Sequence, residues 1–598
     1  MGTCFSRTGI RGDGGADQPS AIDVVHSDPW VEETRVSSVN PSKRFVLTII
    51  RGSQPDKISN ARMINHVDFW DEYSFEDPPV VLGMGISGPV YRIQSRRSPT
   101  MKYALKRLPV TSPFTLAEVS IYLEIDHPNI AKIFEVYHAK DEQDGGMLFL
   151  VTELCNGGDL YSLLKRERHM NEIVAVDMTR QILRAVHYLN SINIVHGDIK
   201  LENFVFATSS SGRRSINLKL IDFGFSAKLE FKEPGQDKRI IPAGQYKGGV
   251  FVAADSAART VAVCGSPLYV APETARGERS LKSDVWSVGV MVFMMLFGKS
   301  PFRGTTFEQV IGDIDANRDE LIAWILSGEN KVKVSKDAID FIDKCLTVDP
   351  EDRISAHEAL SHKWITSLSP KRGQNVKESD LDMCRSLILE FASYGPLKRA
   401  CLCLIALHAP PIKIFPQIEN VFDFVDANGN GYIEEDDLRT LFGPNMEKDL
   451  FAKLDLTQDN RINFSEFLAA TEVNRALQMM EPAFLVPGVP MDRGVSGVDV
   501  TGSLRRPSAM PGVPPGLVKI YEGIVDSVFR KLDVDNTSKI SHANLRNLFG
   551  RRGYQGSKVP DMIKEADYTG DGVIGKEEFF TMLFSSTSAL HLSTSNVN

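Results

Sequence analysis

The sequence lacks the features that mark several common classes of protein. It has only 7 cysteines, whose spacing fits neither a zinc site nor a disulfide framework, as is typical of a reducing compartment. Its formal net charge of -9 argues against nucleic acid as a partner. The longest apolar run, 285–297, is far shorter than the roughly 20 residues of a membrane-spanning helix, so it predicts a buried helix. Because no secretory signal is present either, we expect a cytoplasmic protein.

Residues 1–6 carry a pattern for lipid attachment. Gly2 with Ser6 fits the N-myristoylation signal, and Cys4 lies where palmitate is often added. A single myristoyl chain binds membranes only weakly, so a second chain matters for stable anchoring. We expect an acylated N-terminus that associates with a membrane; the alternative is an ordinary disordered start.

Shifts in composition divide the chain into segments. Residues 73–365, 412–478 and 517–585 have the composition of globular domains. The other segments are rich in Gly, Ser, Pro or charged residues, which predicts loops, linkers and tails. They are an N-terminal extension at 1–72, which we expect to be largely disordered, a junction at 366–411, a linker at 479–516 and a tail at 586–598.

A glycine-rich turn near the start of the first domain suits contact with phosphate. Apolar runs on both sides predict strand, turn and strand from Leu82 to Val90. Gly83, Gly85 and Gly88 let the backbone fold over a phosphate with no side chain in the way. Plain turns and dinucleotide folds share this pattern, but no helix follows here, which counts against a dinucleotide site.

Lys106 lies in an expected third strand, where it would neutralise phosphate oxygens. A carboxylate from a nearby helix would hold it, with Glu118 as the candidate and Glu124 as the alternative. Taken alone, such a lysine is more often a solvated surface residue.

Two further motifs contain the acids that phosphoryl transfer requires. Asp198 fits the group that orients the attacking hydroxyl, and Lys200 can stabilise charge on the transferred phosphoryl group. Asn203 and Asp222, the latter in Asp-Phe-Gly after an apolar run, fit the magnesium ligands.

These motifs, with Ala-Pro-Glu at 271–273, resemble the signature set of the protein kinases over about residues 75–365. The resemblance implies a bilobal α+β kinase fold that uses ATP and Mg²⁺, and a hinge at 153–155 behind the gatekeeper Thr152. Lys200 and residues 265–267 resemble the serine/threonine class. The residues that would bind ATP are Leu82, Gly83, Gly85, Gly88, Val90, Lys106, Glu153 and Cys155.

The resemblance carries over structural and substrate-binding residues as well. Asp284 matches a family position, and Glu273 and Arg353 match an ion pair. Asp159 and Glu202 fall where related kinases hold arginines upstream of the target serine, which implies basic protein substrates. The plain alternatives are helix capping for the former and surface solvation for the latter.

Two positions depart from the kinase pattern. Gly197 replaces the arginine that in the family receives an activation-loop phosphate, which suggests another means of control and raises the question of a weakened enzyme. Only 12 positions separate Lys106 from Glu118, fewer than usual, so the regulatory helix could enter differently.

A twelve-residue pattern recurs four times after the junction, each time with isoleucine at its eighth position. It resembles the EF-hand loop, which takes calcium through oxygens at positions 1, 3, 5, 7, 9 and 12. Candidate ligands in the first, second and fourth loops are Asp426, Asn428, Asn430, Tyr432, Asp437, Asp455, Thr457, Asp459, Arg461, Glu466, Asp567, Thr569, Asp571, Val573 and Glu578.

The loops differ in quality. Asp437 at position 12 of the first loop is shorter than glutamate, which predicts weak calcium binding or a preference for magnesium. The third loop has Asn544 there, so weak or no binding is expected. Its remaining ligand positions are Asp533, Asp535, Thr537 and Lys539.

A kinase domain followed by two EF-hand pairs resembles the calcium-dependent protein kinases over about residues 75–585. That resemblance implies a calcium-activated serine/threonine kinase, with an all-α calmodulin-like domain after the bilobal one. The apolar face of 391–407 suits a calcium-loaded groove, and in the family this junction holds the kinase off at low calcium. The alternative, favoured by Gly197, is a calcium-responsive scaffold that binds nucleotide but barely turns over.

Overall fold

The computed structural model describes residues 62–64, 67–85, 88–110, 113–139, 146–207, 217–229, 241–242, 245–247, 250–252, 266–327, 332–368, 376–408, 418–484, 515–549 and 559–585. The predicted lipidation sites Gly2 and Cys4 lie outside these residues, as does the tail. Within them, no helix is both long enough and apolar enough to cross a membrane.

A 6-stranded sheet forms the N-terminal lobe of the first domain. In space the strands lie in the order β1-β5-β6-β4-β3-β2, antiparallel throughout except that β1 runs parallel to β5. Strand β5 is continuously apolar but for one acid, because it is buried on both faces. The elements are β1 (Met63–Ile64), α1 (Phe69–Glu72), β2 (Tyr73–Gly85), β3 (Gly88–Ser95), β4 (Lys102–Pro109), α2 (Pro113–Glu124), β5 (Ile133–His138) and β6 (Met147–Thr152).

The start of this lobe differs from the predicted boundary at residue 73. Strand β1 pairs with β5 through Met63 and Val136, and α1 buries Phe69 among aromatic rings of the sheet. These few apolar residues follow a stretch rich in Gly, Ser and Asp and show no periodicity. Their structure depends on tertiary contacts instead.

The C-terminal lobe is mostly helical. Its centre is a helix at Ser283–Phe297, buried from Ser283 to Leu296 as the apolar run predicts. Gly298 ends that helix with a φ of 70°, a left-handed conformation that glycine adopts without strain. Its helices are α3 (Leu160–Glu167), α4 (Glu172–Ser191), α5 (Pro272–Ala275), α6 (Ser283–Phe297), α7 (Phe307–Ser327), α8 (Lys336–Cys345), α9 (Ala356–Leu360) and α10 (Lys363–Leu368).

Short strand pairs and two 3-10 turns complete the described part of this lobe. The pairs are β7 with β10, β8 with β9, β11 with β14 and β12 with β13. They span β7 (Ile194–Val195), β8 (Phe204–Phe206), β9 (Leu218–Leu220), β10 (Ala227–Lys228), β11 (Ile241–Pro242), β12 (Gln245–Lys247), β13 (Val250–Val252) and β14 (Glu278–Arg279), with 3-10 turns at Leu201–Asn203 and Pro267–Tyr269.

The junction and the C-terminal domain, which we define as 418–585, are helical. Helix α17 extends to Phe484, beyond the predicted start of the linker at 479. A π-helical turn at Ala469–Val473 precedes it. The elements are α11 (Glu378–Ser393), α12 (Pro396–His408), α13 (Ile418–Val425), α14 (Glu435–Phe442), α15 (Leu450–Leu454), α16 (Phe464–Leu468), α17 (Asn474–Phe484), α18 (Pro515–Leu532), β15 (Lys539–Ile540), α19 (His542–Phe549), α20 (Val559–Ala566), β16 (Ile574–Gly575) and α21 (Lys576–Phe584).

One hydrophobic core joins the N-terminal lobe, the junction and the C-terminal domain. It contains Tyr137 of β5, Leu404 of α12 and Phe529 of α18. Helix α12 is buried from Leu397 to His408, because both pairs of EF-hands and β5 enclose it. The apolar face predicted for 391–407 therefore lies inside this shared core.

Candidate active site and calcium loops

Strand β4, helix α2 and the segment after β9 bring three charged side chains together. The Lys106 Nζ lies 2.6 Å from Glu118 Oε1 and 2.8 Å from Asp222 Oδ1. Burial lowers the pKa of Lys106, but the two carboxylates outweigh that effect and raise it. The same ammonium outweighs burial to lower the pKa of Asp222, so the lysine is charged and that aspartate ionised.

Of the two candidate partners for the lysine, the structure places Glu118 beside it. The alternative, Glu124, instead pairs with Lys228 of β10 at 2.5 Å. The short spacing between Lys106 and Glu118 therefore does not prevent α2 from presenting its carboxylate to β4.

The catalytic loop gathers around Asp198. Its Oδ2 accepts hydrogen bonds from Lys200 Nζ at 2.5 Å and from Asn203 Nδ2 at 3.1 Å. The backbone N–H and hydroxyl of Ser266 both donate to Asp198 Oδ1 at 3.1 Å. Ser266 was predicted only to mark the serine/threonine class, and its contact with Asp198, which joins the loop to the segment before Ala-Pro-Glu, was not predicted.

Asp284, at the start of α6, supports that loop from below. Its carboxylate accepts from the backbone N–H of His196 at 2.7 Å and of Gly197 at 3.0 Å. The Phe223 ring packs against His196 at 5.0 Å and Tyr122 of α2 at 4.7 Å between centroids. This column of rings links α2 to the catalytic loop.

The glycine-rich turn lies over the same cleft. Strands β2 and β3 pair up to Gly85 and Gly88, and Val90 lies opposite Lys106 in the sheet. Gly88 has a φ of 113°, a backbone conformation that only glycine adopts readily. Leu82 of β2 is partly exposed, as expected of a residue that would cover a ligand.

At the hinge, the Glu153 side chain makes two contacts with lysine residues of the kinase domain. It pairs with Lys219 at 3.1 Å and accepts from the backbone N–H of Lys132. The contact of Glu153 and Cys155 with ATP stays a prediction.

The structure places the two predicted substrate acids on the C-terminal lobe. Asp159 caps α3, because its side chain accepts from the backbone N–H of Ser162 at 2.6 Å. Glu202 accepts from the hydroxyl of Tyr269 at 3.3 Å. Elsewhere in this lobe Glu273 and Arg353 form a buried pair, with contacts of 2.7 and 2.9 Å.

The residues of the cleft suit Mg²⁺ and ATP. Asp222 offers carboxylate oxygens, and Asn203 donates its amide N–H groups to Asp198, which leaves its amide oxygen as the ligand atom. Lys106 supplies the fixed positive charge that nucleotide phosphates require.

The fourth calcium loop is already arranged for an ion. One oxygen each from Asp567, Asp571 and Glu578 lies within 4.8 Å of the others. Glu578 accepts from the backbone N–H of Thr569 and of Gly575, which fixes the position-12 carboxylate across the loop. These hard oxygen donors suit Ca²⁺.

In the second loop, too, backbone N–H groups fix the position-12 carboxylate, which is more enclosed than in the fourth. Glu466 is fully buried and accepts from the backbone N–H groups of Leu456, Thr457 and Asn463, each at 2.8 Å. Burial raises the pKa of this carboxyl well above its usual value. The first and second loops pair through Ile433 and Ile462, the isoleucines at their eighth positions.

The first loop is packed against the kinase domain. The Arg184 guanidinium of α4 contacts Asp423 at 2.5 Å and Asp426 Oδ2 at 2.9 Å. That same Oδ2 accepts from the backbone N–H of Gly431, and Oδ1 accepts from the backbone N–H of Asn430. No sequence pattern predicts the Arg184 contact, because 242 positions separate this arginine from Asp426.

The third loop lacks a position-12 carboxylate, and its lysine at position 7 pairs with an aspartate of the fourth loop. Asn544 is buried and accepts from the backbone N–H and hydroxyl of Ser541. Lys539, at position 7, reaches Asp571 of the fourth loop at 2.7 Å. The two loops pair through Ile540 and Ile574.

Fold and site together define a protein kinase joined to two pairs of EF-hands. The model of the protein kinase domain matches residues 79–365, and that of the EF-hand domain pair matches residues 415–472 and 525–583. The chain belongs to the calcium-dependent protein kinase family of serine/threonine kinases, which confirms the predicted fold class.

Several relatives support this assignment over most of the chain. The calcium-dependent protein kinase 3 of Plasmodium berghei (strain Anka) is 26% identical over 86% of this chain and 80% of its own length. The calcium-dependent protein kinase 4 of Plasmodium falciparum (isolate 3D7) is 25% identical over 92% of this chain and 93% of its own. The calcium-dependent protein kinase 5 of the same isolate is 24% identical, with coverage of 87% and 79%.

Proposed function

We propose that this chain transfers the γ-phosphate of ATP to serine or threonine of proteins when calcium fills its EF-hands. The observation that carries the proposal is the assembled cleft: Lys106 is held by Glu118 and lies beside Asp222, and Asp198 stands within reach of Lys200. An inactive scaffold would not require all of these contacts at once.

Each side chain in the cleft has a role in that reaction. Bound ATP with Mg²⁺ supplies the phosphoryl group; Asn203 and Asp222 would hold the ion. Lys106 would fix the phosphates, and Asp198 would orient the substrate hydroxyl and accept its proton. Lys200, 2.5 Å from Asp198, would neutralise charge on the transferred group.

A direct assay tests this function and the scaffold alternative together. Transfer of labelled phosphate to an arginine-containing peptide should occur in calcium and fall in chelator. Asp198→Asn should reduce turnover at least about a hundredfold while nucleotide binding persists. No transfer by the parent chain with intact nucleotide binding would establish the scaffold instead.

We also propose that the junction holds the kinase off at low calcium and that substrates are basic. Helix α12 is enclosed by both EF-hand pairs, so a change in either pair would move the junction.

If Asp159 binds substrate arginine, Asp159→Asn, which keeps a helix cap, should reduce turnover on the arginine-containing peptide more than on one without arginine. Equal losses on both peptides would leave Asp159 as a cap only.

Membrane association through Gly2 and Cys4 remains part of the proposal. The pattern at residues 1–6 supports it. Incorporation of a myristate analogue into the parent chain, and its loss in Gly2→Ala, would establish the first acylation. Incorporation of a palmitate analogue that is lost in Cys4→Ser would establish the second.

A further inference from the structure

Gly197 leaves space in the catalytic loop that another side chain uses. Its φ is 77°, and a Cβ built there would lie 2.8 Å from the carbonyl oxygen of Phe225 and 3.7 Å from Nη1 of Arg279. Any longer side chain at this position would compete with the arginine for the same carbonyl.

Arg279 approaches from β14, outside the catalytic loop. Its Nη1 donates to the Phe225 carbonyl oxygen at 2.9 Å. Its charge also acts favourably on the buried carboxylate of Asp284, which holds the backbone of His196 and Gly197. One guanidinium therefore lies between the catalytic loop, its supporting aspartate and the segment after Asp-Phe-Gly.

We infer that Arg279 is a positioning residue that substitutes for the arginine missing at position 197. It fixes Phe225 relative to the catalytic loop, and Phe225 lies three positions after the magnesium ligand Asp222. Ser226 gives a second link, because its hydroxyl donates to the His196 carbonyl oxygen at 3.2 Å. With Arg279 in place, Asp222 and Asp198 keep their relative positions without a charged side chain from the loop itself.

This inference rests on the proposed function, since positioning matters only for an enzyme that turns over. The variants are Arg279→Met, which removes the charge and the N–H donors, and Arg279→Lys, which keeps the charge but loses the planar guanidinium. Arg276→Met is the matched control, because that arginine lies on the same segment and its contact with Asp315 is half exposed.

Turnover gives the first readout. Arg279→Met should lower kcat about tenfold to a hundredfold while KM for ATP changes less than about threefold, since misplaced groups slow chemistry more than binding. Arg279→Lys should recover part of the loss, and Arg276→Met should match the parent. A kcat within about twofold of the parent in Arg279→Met would overturn the inference.

Amide hydrogen exchange gives a readout that needs no turnover. In Arg279→Met, peptides that cover 194–204 and 222–229 should exchange faster than in the parent, while those from α6 should not change. Unchanged exchange in both peptides would overturn the inference even if kcat fell. If the parent chain transfers no phosphate, the proposed function fails on its own, and the exchange result still decides the role of Arg279.

Discussion

Lys106 keeps its charge in a largely enclosed place because two carboxylates face it. Only 17% of its side chain is exposed, yet its pKa is raised, since Glu118 and Asp222 together outweigh the cost of burial. The contacts require α2 and the Asp-Phe-Gly segment to stand close to β4 at the same time. The ion pairs therefore report the relative position of three separate elements.

Gly197 is the residue at which a single added carbon should have a measurable cost. With a φ of 77° and a carbonyl oxygen 2.8 Å from the built Cβ, Gly197→Ala should lower the free energy of unfolding by about 1–3 kcal/mol. Chemical denaturation of the full chain measures this. The control is Gly312→Ala in α7, where nothing lies within 4 Å of the built Cβ and a small stabilisation is expected. Equal effects of the two changes would contradict the strain argument.

The cleft residues could be predicted from the sequence because short motifs carry them. Asp198, Lys200 and Asn203 lie within six positions of one another, so the local turn alone brings them together. The contacts of Ser266 and Arg279 were missed because they depend on how distant segments fold back. Ser266 stands in a motif that indicated only the kinase class, and no local pattern distinguishes Arg279 from an ordinary surface residue.

Helices α4 and α9 meet through two histidines, and this contact should respond to acid. The rings of His187 and His357 lie 5.2 Å apart between centroids. Burial lowers the pKa of His187 to about 4, and the facing His357 and Arg184 act in the same direction. Because the pKa is lower in the folded state, the unfolded chain binds more protons between about pH 6.5 and pH 4.

Stability should therefore fall as the pH drops from 6.5 towards 4. His187→Gln should reduce that fall by about 1–2 kcal/mol, once its partial exposure is allowed for. Urea denaturation of the full chain across this pH range is the measurement. The exposed His169→Gln should keep the parent profile, and a His187→Gln profile equal to that of the parent would refute the assignment.

The third EF-hand loop is predicted to bind calcium weakly or not at all, and a single change at its position 12 tests that prediction. In the second loop the Glu466 carboxylate accepts from three backbone N–H groups, whereas the Asn544 amide oxygen accepts from the backbone N–H and the hydroxyl of Ser541. Asn544→Glu should therefore add about one calcium ion per chain, measured by titration calorimetry. Asn544→Gln, which has the length without the charge, should not. No gain in stoichiometry with glutamate would show that other ligands of this loop are deficient.

Element boundaries followed the sequence where periodicity was strong and failed where tertiary contact decided. Helix α6 agrees with its apolar run, and the four loops lie between helices as the pattern predicts. Strand β1 and helix α1 were missed, because a pair of residues in a strand and one turn of helix have too little periodicity to detect.

The N-terminal lobe of the kinase, the junction and the C-terminal domain share one hydrophobic core, and buried charged side chains lie beside it. Glu135 of β5 accepts from Tyr73 at 2.9 Å and also contacts Tyr137 and Lys531. Burial raises the pKa of Glu135, but Lys531 and His408 outweigh it and hold the pKa well below its usual range. Since 396 positions separate Glu135 from Lys531, no sequence pattern predicted the pair.

Removing one member of this pair should weaken the attachment of the C-terminal domain. Lys531→Met leaves the buried Glu135 carboxylate with its two tyrosine donors but without its lysine partner, so the free energy of unfolding should fall by about 3–5 kcal/mol. Adding Glu135→Gln should restore more than half of that loss, as urea midpoints would show. Lys576 is exposed and its partner Asp526 also contacts Arg97, so Lys576→Met should cost less than about 1 kcal/mol. An effect of Lys531→Met as small as this control would contradict the proposed importance of the pair.

The packing of the first EF-hand loop against the kinase also has a consequence in time. Asp426 is 2% exposed and lies beneath Arg184, whereas Asp571 of the fourth loop is open to solvent. An ion that enters the fourth loop has to displace the exposed Lys539 from Asp571, whereas an ion that enters the first loop has to displace the buried Arg184, which should be slower. A brief calcium pulse should therefore fill the fourth loop and leave the first unfilled, so the molecule should distinguish short calcium signals from sustained ones.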